Sequence, residues 1–427
     1  MQSLSRQLPS ELNFTDGGFV FKLQCQIGLA ACWLIAAAVT TPVLAHNDRS
    51  RDAPSQTIKA RQHFFGMENV DPESGKVRDD RVILSWFSNT SFALALRGRV
   101  MLLDAYIVGR EDKPARVPTS LQELVELDPE FIFLGHQHAD HAELVANIAV
   151  RSGATIVASA EGCDNMRVDA RNQFGPQAVV DCISVTSAGS LPGAEIKILS
   201  VLEPHACVTA VKHLHAAATP PDPTIPPNPI TALGDPREPI LWPPGRPASD
   251  GVRTVGTNGT VSVLYQFALR GKPGFTFMFN DTAGPLKDQA PHVLDILRSL
   301  PRSDVQISLA LTPPAPPTAP TPNGLRDVVN YIQAVRPRIF VPAHIDSPAI
   351  FGVPLGGSPY WKQGLMRQFD VMQVPQEERP ELRWLSDPYD YLRPQALTFD
   401  PDLPAWSKER PDRDDPCAQR NEGGEHG

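Results

Sequence analysis

From Arg81 onward the chain falls into short apolar runs separated by polar or turn-forming residues. RVILSWF (81–87), SFALALRG (91–98) and RVMLLDAYI (99–107) read as three successive strands. SLQELVEL (120–127) carries apolar residues at helical spacing and stops at Asp128-Pro129. FIFLG (131–135) is then a buried strand, Ala142–Arg151 a helix and ATIVAS (154–159) a further strand. AVVDCISV (178–185) and EIKILSVLEPH (195–205) continue the pattern, the second run ending on His205. TVSVLYQFAL (260–269) and FTFMFN (275–280) predict a hairpin, followed by a helix over Leu286–Leu300 and a strand VQISLAL (305–311). After PPAPPTAPTPNG, a helix over Leu325–Val335 leads into RIFVP (338–342). Strands alternating with helices in this way imply an α/β protein in layers.

The segments outside this pattern set the domain limits. Ile27–Leu44 is apolar or small and uncharged, lies after Arg6 and Lys22, and ends in VLA before HND. It reads as an export signal over residues 1–45, with a membrane anchor at 27–44 as the alternative. Residues 46–80 are polar and read as a leader, 81–395 as the folded domain, and 396–427 as a loose, charged, Pro-rich tail. Within the domain, 206–258 is a Pro-rich insertion with TPPDPTIPPNP at its centre, too long for an ordinary loop. Proline is the compositional outlier, 44 of 427 residues, and it gathers in these loops. A net charge of −9 with interspersed signs argues against a nucleic-acid partner, which needs a basic footprint. Of six cysteines, Cys25 and Cys32 fall in the signal. Cys163, Cys182, Cys207 and Cys417 allow three pairings in an oxidising compartment, or free thiols.

Chemistry concentrates at FLGHQHADHAEL (133–144). His136, His138, Asp140 and His141 stand within six residues at the end of a strand, a donor set suited to zinc and similar ions. Three further candidates each follow an apolar run: His205, Asp281 after FTFMFN, and His344 after RIFVPA. Strands running the same way bring their ends to one edge, where α/β folds place their ligands.

HQHADH fits the H-x-H-x-D-H signature of the metallo-β-lactamase superfamily, and the later His, Asp and His follow in that family's order. SWFSNTSFALALRGRVMLLDAYI resembles the opening hairpins of the branch of L-ascorbate-6-phosphate lactonase-like and N-acyl phosphatidylethanolamine phospholipase D-type hydrolases. The resemblance covers about 81–346 and implies a four-layer αββα sandwich with Pro-rich loop insertions. It implies two divalent ions, zinc foremost, with manganese or iron(II) as alternatives. His136, His138 and His205 would hold the first ion, and Asp140, His141 and His344 the second. Asp281 would bridge them, and Asp104 would support the ligands from behind. His213, His215 and Cys207 compete with His205 for the third place at the first ion; His205 is favoured because it ends an alternating run. Two departures stand out: Asn280 where the family has Gly, and Ser88-Asn89 where the branch has Gly-His.

The expected reaction is hydrolysis of an ester, lactone or related bond by hydroxide held between the two ions, with Asp140 or Asp281 moving the proton. A phosphodiesterase or phospholipase D-like activity is the alternative, with Lys212, Arg237 and Arg246 as the available cations. A non-catalytic, metal-stabilised binding protein is the alternative of another class. The implied partner is a small or lipid-like substrate, with a membrane involved only if the N-terminal segment stays uncleaved. Oligomeric state is left open.

Overall fold

The computed structural model describes residues 53–107, 119–217, 219, 222–225, 261–271, 274–309, 323–344, 359–385, 390–403, 406 and 417. The expected export segment, Arg237, Arg246 and most of the Pro-rich insertion lie outside these residues.

Strands β1 (Val82–Ser88), β2 (Ser91–Leu96) and β3 (Arg99–Leu103) form an antiparallel meander. The β2–β3 turn is closed by Arg97 and Gly98, both at positive φ (50° and 80°), the backbone a two-residue hairpin turn requires. Next come β4 (Phe131–Phe133), β5 (Thr155–Ala158) and β6 (Cys182–Ser184), each parallel to its predecessor. Their crossovers carry α2 (Leu121–Glu126), α3 (Ala139–Ala142), α4 (Val145–Ser152) and α5 (Ala160–Phe174). Ser120 and Ser159 cap α2 and α5 by accepting the backbone N–H of Glu123 and Gly162.

The second sheet contains β7 (Ile196–Leu199), β8 (Ala206–His213), β9 (Ser262–Leu269) and β10 (Thr276–Asn280), joined antiparallel. β11 (Val305–Leu309), β12 (Ile339–Ala343) and β13 (Glu381–Leu382) then extend it in parallel. A last strand, β14 (Thr398–Phe399), returns to pair with β1. The orders are β14-β1-β2-β3-β4-β5-β6 and β13-β12-β11-β10-β9-β8-β7, two mixed seven-stranded sheets.

Period-two alternation decides which core each side chain enters. On β1, Val82, Leu84 and Trp86 face the second sheet, while Ile83 and Phe87 face the helices. On β2, Phe92, Leu94 and Leu96 go inward and Ala93 and Ala95 outward. Both faces of this sheet are covered, so its strands read as continuous apolar runs. Between the sheets, Phe133 meets Phe267 and Tyr265 edge-on, at ring-centroid distances of 4.9 and 5.3 Å, and Phe267 stacks on Phe277 at 4.5 Å. Tyr265 donates its hydroxyl to the carbonyls of Leu134 and Val157, both at 3.0 Å, pinning one sheet to the other. On the outer face of the second sheet lie α6 (Leu286–Gln289), α7 (Pro291–Ser299), α8 (Gly324–Val335) and α9 (Pro359–Val371). The result is the expected αββα layering.

Several boundaries differ from the sequence reading. The polar leader contains α1 (Ser55–Phe65), whose Ala60, Phe64 and Phe65 are buried in the outer core. The helix expected over Leu286–Leu300 is broken at Ala290, because Pro291 donates no N–H and opens a new helix. The run EIKILSVLEPH stops being a strand at Leu199, and Ser200–His205 is turn. Residues 206–213, assigned to the insertion, are the fully buried β8. The tail is tied to the fold, among other contacts, by β14, by Trp406 against Phe275 (5.1 Å), by the Arg97–Asp402 ion pair (2.8 Å) and by Cys417.

The four cysteines pair as Cys163–Cys182 and Cys207–Cys417, across 19 and 210 residues of chain. Closing loops of those lengths in the unfolded chain stabilises the fold by about 3 and about 5 kcal/mol on an entropic account.

Candidate metal centre

Strand direction explains how distant residues meet. β1, β3 and β4 all run towards one edge of the first sheet, and β8, β10 and β12 run towards the adjoining edge of the second. That edge receives Asn89 and Thr90 from the β1–β2 turn, Asp104 after β3, and His136–His141 after β4. From the other sheet it receives His213 and His215, Asp281 and His344. Bonds that join the sheets beside it include Val263 N–H to Gly135 O (2.8 Å) and Val261 N–H to the Gln137 side-chain oxygen (3.1 Å).

Three groups of side chains converge closely enough to hold an ion: His136, His138 and His215; Asp140, His141 and His344; and His136, His141 and Asp281. In the first, His136 Nε2 and His138 Nδ1 are 3.1 Å apart, and the His215 ring packs edge-on to both. In the second, His344 Nε2 lies 3.0 Å and His141 Nε2 3.8 Å from Asp140 Oδ2. Asp281 joins them, its Oδ2 being 2.5 Å from His136 Nδ1 and 3.4 Å from His141 Nδ1. Asp281 Oδ2 thus lies within reach of members of both groups.

Asp104 lies behind the ligands, fully buried and at positive φ (52°). Its Oδ1 accepts the Gly135 N–H at 2.9 Å; its Oδ2 lies 2.9 Å from His141 Nδ1 and accepts the Thr90 hydroxyl at 2.6 Å. Such partners fix ring orientation and tautomer in metal-binding histidines. Gly135 is required for a different reason: a Cβ there would overlap the Asp281 carboxylate.

The electrostatics fit a cation. Burial pushes His136 down to about 3 and His138 to about 4, and holds His141 and His215 well below the usual histidine range. All four imidazoles are therefore neutral at pH 7, as coordination needs. Burial also pushes Asp281 up to about 8, aided by the Asp140 charge, and raises Asp104 well above the carboxylate range. Asp140 goes the other way: its burial is outweighed by His141 and by the charge and hydrogen bond of His344. Asp140 Oδ1 and Asp281 Oδ1 are buried with no hydrogen-bond partner among the described residues. Burying a bare carboxylate oxygen is costly unless a cation or donor meets it. The donor set, the neutral imidazoles and these two oxygens fit one or two divalent metal ions.

Of the seven ligands expected from sequence, six meet here: His136, His138, Asp140, His141, Asp281 and His344. His205 does not. It is exposed, in the turn before β8, at the strand end opposite the site and roughly 26 Å from His213 along an extended chain. His215 takes its place. The error is one of polarity: the favoured run stops at Leu199, and the strand that reaches the site is ACVTAVKH, whose alternation ends at His213. His213 itself is buried behind His215, with Nδ1 2.7 Å from the Tyr331 hydroxyl. Cys207 is consumed by its disulfide. Thr90 and Gly135 were not foreseen as parts of the site, and Asn89 entered only as a departure from the Gly-His pair of the resembled branch.

An αββα sandwich that gathers His and Asp side chains at the edge where its parallel strands end is the metallo-β-lactamase fold, and this chain has it. No family model matches the chain. It is similar to a UPF0173 metal-dependent hydrolase of Ligilactobacillus salivarius, 30% identical over 74 residues, 17% of this chain and 31% of the relative. A second UPF0173 metal-dependent hydrolase, from Pyrobaculum neutrophilum, is 32% identical over 78 residues, 18% of this chain and 32% of the relative. The chain thus matches about a third of the length of these curated relatives. Among solved structures, Igni18, a metallo hydrolase from Ignicoccus hospitalis, aligns with a TM-score of 0.39 and 13% identity, covering 72% of this chain and 95% of that one.

Proposed function

We propose that this chain is an exported, metal-dependent hydrolase that cleaves an ester, lactone or related acyl bond. The reading is carried by one observation: Asp140 Oδ1 and Asp281 Oδ1, buried and unpartnered among neutral histidines. His136, His138 and His215 would hold one divalent ion, Asp140, His141 and His344 a second, and Asp281 would serve both. A metal pair supplies Lewis-acid chemistry, acidifying water and polarising the scissile acyl oxygen. The protein's own share is to hold the imidazoles neutral, to exclude bulk water from the buried carboxylates, and to move the proton. Asp140 and Asp281 are the groups placed to pass it to the leaving atom.

Two features bear on substrate and compartment. Lys212, the described cation considered for a phosphodiester, points away from the centre: its ammonium donates to the Ser190 carbonyl and pairs with Glu161 at 3.9 Å. That favours an acyl substrate without a phosphate. Two disulfides suit an oxidising compartment and therefore export. Among the described residues no helix is long and apolar enough to cross a membrane.

The test is metal analysis of the purified chain, followed by an ester, lactone and phosphodiester panel with and without chelator. Two equivalents of metal are expected, with chelator-sensitive turnover of an ester or lactone. Asp281→Ala should lower that turnover at least about 100-fold. Full activity after complete metal removal would sink the proposal. Two bound equivalents with no turnover across the panel would favour a binding protein.

A further inference from the structure

The β1–β2 connection is only two residues long, Asn89 and Thr90, since Ser88 pairs directly with Ser91. Asn89 is completely buried and left-handed (φ 43°), a conformation that asparagine tolerates better than most residues. Its groups are spent on the second group of ligands. The side-chain amide donates to the backbone carbonyl of Asp140 at 2.9 Å and reaches the Asp140 carboxylate Oδ2 at 3.4 Å. The first is a full hydrogen bond; the second is long and counts as electrostatic guidance. The Asn89 carbonyl accepts the His344 N–H at 3.0 Å and the Trp86 indole N–H at 2.8 Å. His344 is itself left-handed (φ 62°), so its backbone is held at a bend that needs an anchor.

Asp140 and His344 come from different sheets, and Asn89 bonds to the backbone of both. With Oδ2 committed to His344 and guided by Asn89, the carboxylate cannot rotate freely, and Oδ1 is the oxygen left without a partner. We propose that Asn89 is a positioning residue for the second metal site, fixing the separation of Asp140 and His344 and turning Asp140 Oδ1 towards the ion. The assignment rests on the metal-hydrolase reading above and names the residue that sets affinity at one of its two sites.

Asn89→Asp and Asn89→Gly are the informative changes: both accept a left-handed backbone, the first turns the donor into an acceptor when ionised, and the second removes the side chain altogether. Metal-free full-length chain is titrated with zinc and, for its absorption spectrum, with cobalt(II). In the unaltered chain two equivalents should bind. In Asn89→Asp the first should bind unchanged and the second 10- to 100-fold more weakly, roughly the effect of losing a partner behind a ligand. Only the second cobalt band should change; the metal-free aspartate variant should melt lower, because its carboxyl is buried against the Asp140 carbonyl, whereas Asn89→Gly carries no such acceptor. Asn89→Gly, which relieves the backbone and removes the amide, should reproduce the result if the aspartate variant fails to fold. Equal affinity for both equivalents in the variants would overturn the assignment, and so would equal weakening of both. Failure of the unaltered chain to bind two equivalents would instead count against the hydrolase reading itself.

Discussion

Single atoms decide whether this site can form. Gly135 precedes the first histidine and lies against Asp281, with no room for a methyl group between them. Gly135→Ala is therefore expected to displace the Asp281 carboxylate. Overpacking of this kind destabilises by about 1–3 kcal/mol, and here the larger loss should be in metal content. Elemental analysis should find less than one equivalent bound in a chain that still folds by circular dichroism; two equivalents would show that the carboxylate has space to spare. At this scale the sequence was informative where donors cluster. His136, His138, Asp140 and His141 announce themselves within six residues, because the turn after a strand places neighbours on one point. Asn89 and Thr90 do not, since an amide and a hydroxyl in a two-residue turn look like turn chemistry alone.

Among the elements, β8 shows both how far pattern carries and where it stops. The strands with alternating or continuous apolar residues were legible, including β1–β5 and β9–β12. Direction was not. Whether the run before His205 or the one after it reaches the ligand edge depends on where the chain turns, and LSVLEPH is too apolar to mark that turn. α1 and α5 escaped notice because their buried apolar stripes are thin, Ala60, Phe64 and Phe65 in one and Cys163, Met166 and Ala170 in the other. The polarity of β8 has a direct test. His215→Ala, just past β8, should remove one equivalent of metal and most activity, while His205→Ala, in the turn before β8, should change metal content not at all and stability by less than about 0.5 kcal/mol. The opposite ranking in a metal titration would mean that β8 runs the other way.

For the whole molecule, the buried site should set a pH window for the metal-free fold. His136 and His138 have folded-state values below their ordinary 6.5, so the stability they contribute is present above about 6.5 and lost as pH falls through about 4 and about 3. Asp281 has the opposite sign: raised to about 8, it contributes below the ordinary carboxylate value and loses that contribution as pH rises through 8. Chemical denaturation in chelator should thus show stability greatest near 6.5, falling on the acid side and falling again as pH rises from there to about 8, above which the Asp281 contribution is already lost. A flat profile from 4 to 9 would contradict the burial of these groups.

Each group of candidate ligands takes members from both sheets: His136 and His138 with His215, Asp140 and His141 with His344, His136 and His141 with Asp281. Neither sheet supplies a complete group, so under the proposed function full coordination would wait until the two sheets have docked. Coordination would then come late in folding, after contacts far apart in sequence have formed. An ion held by a whole group would thus report that the sheets have met.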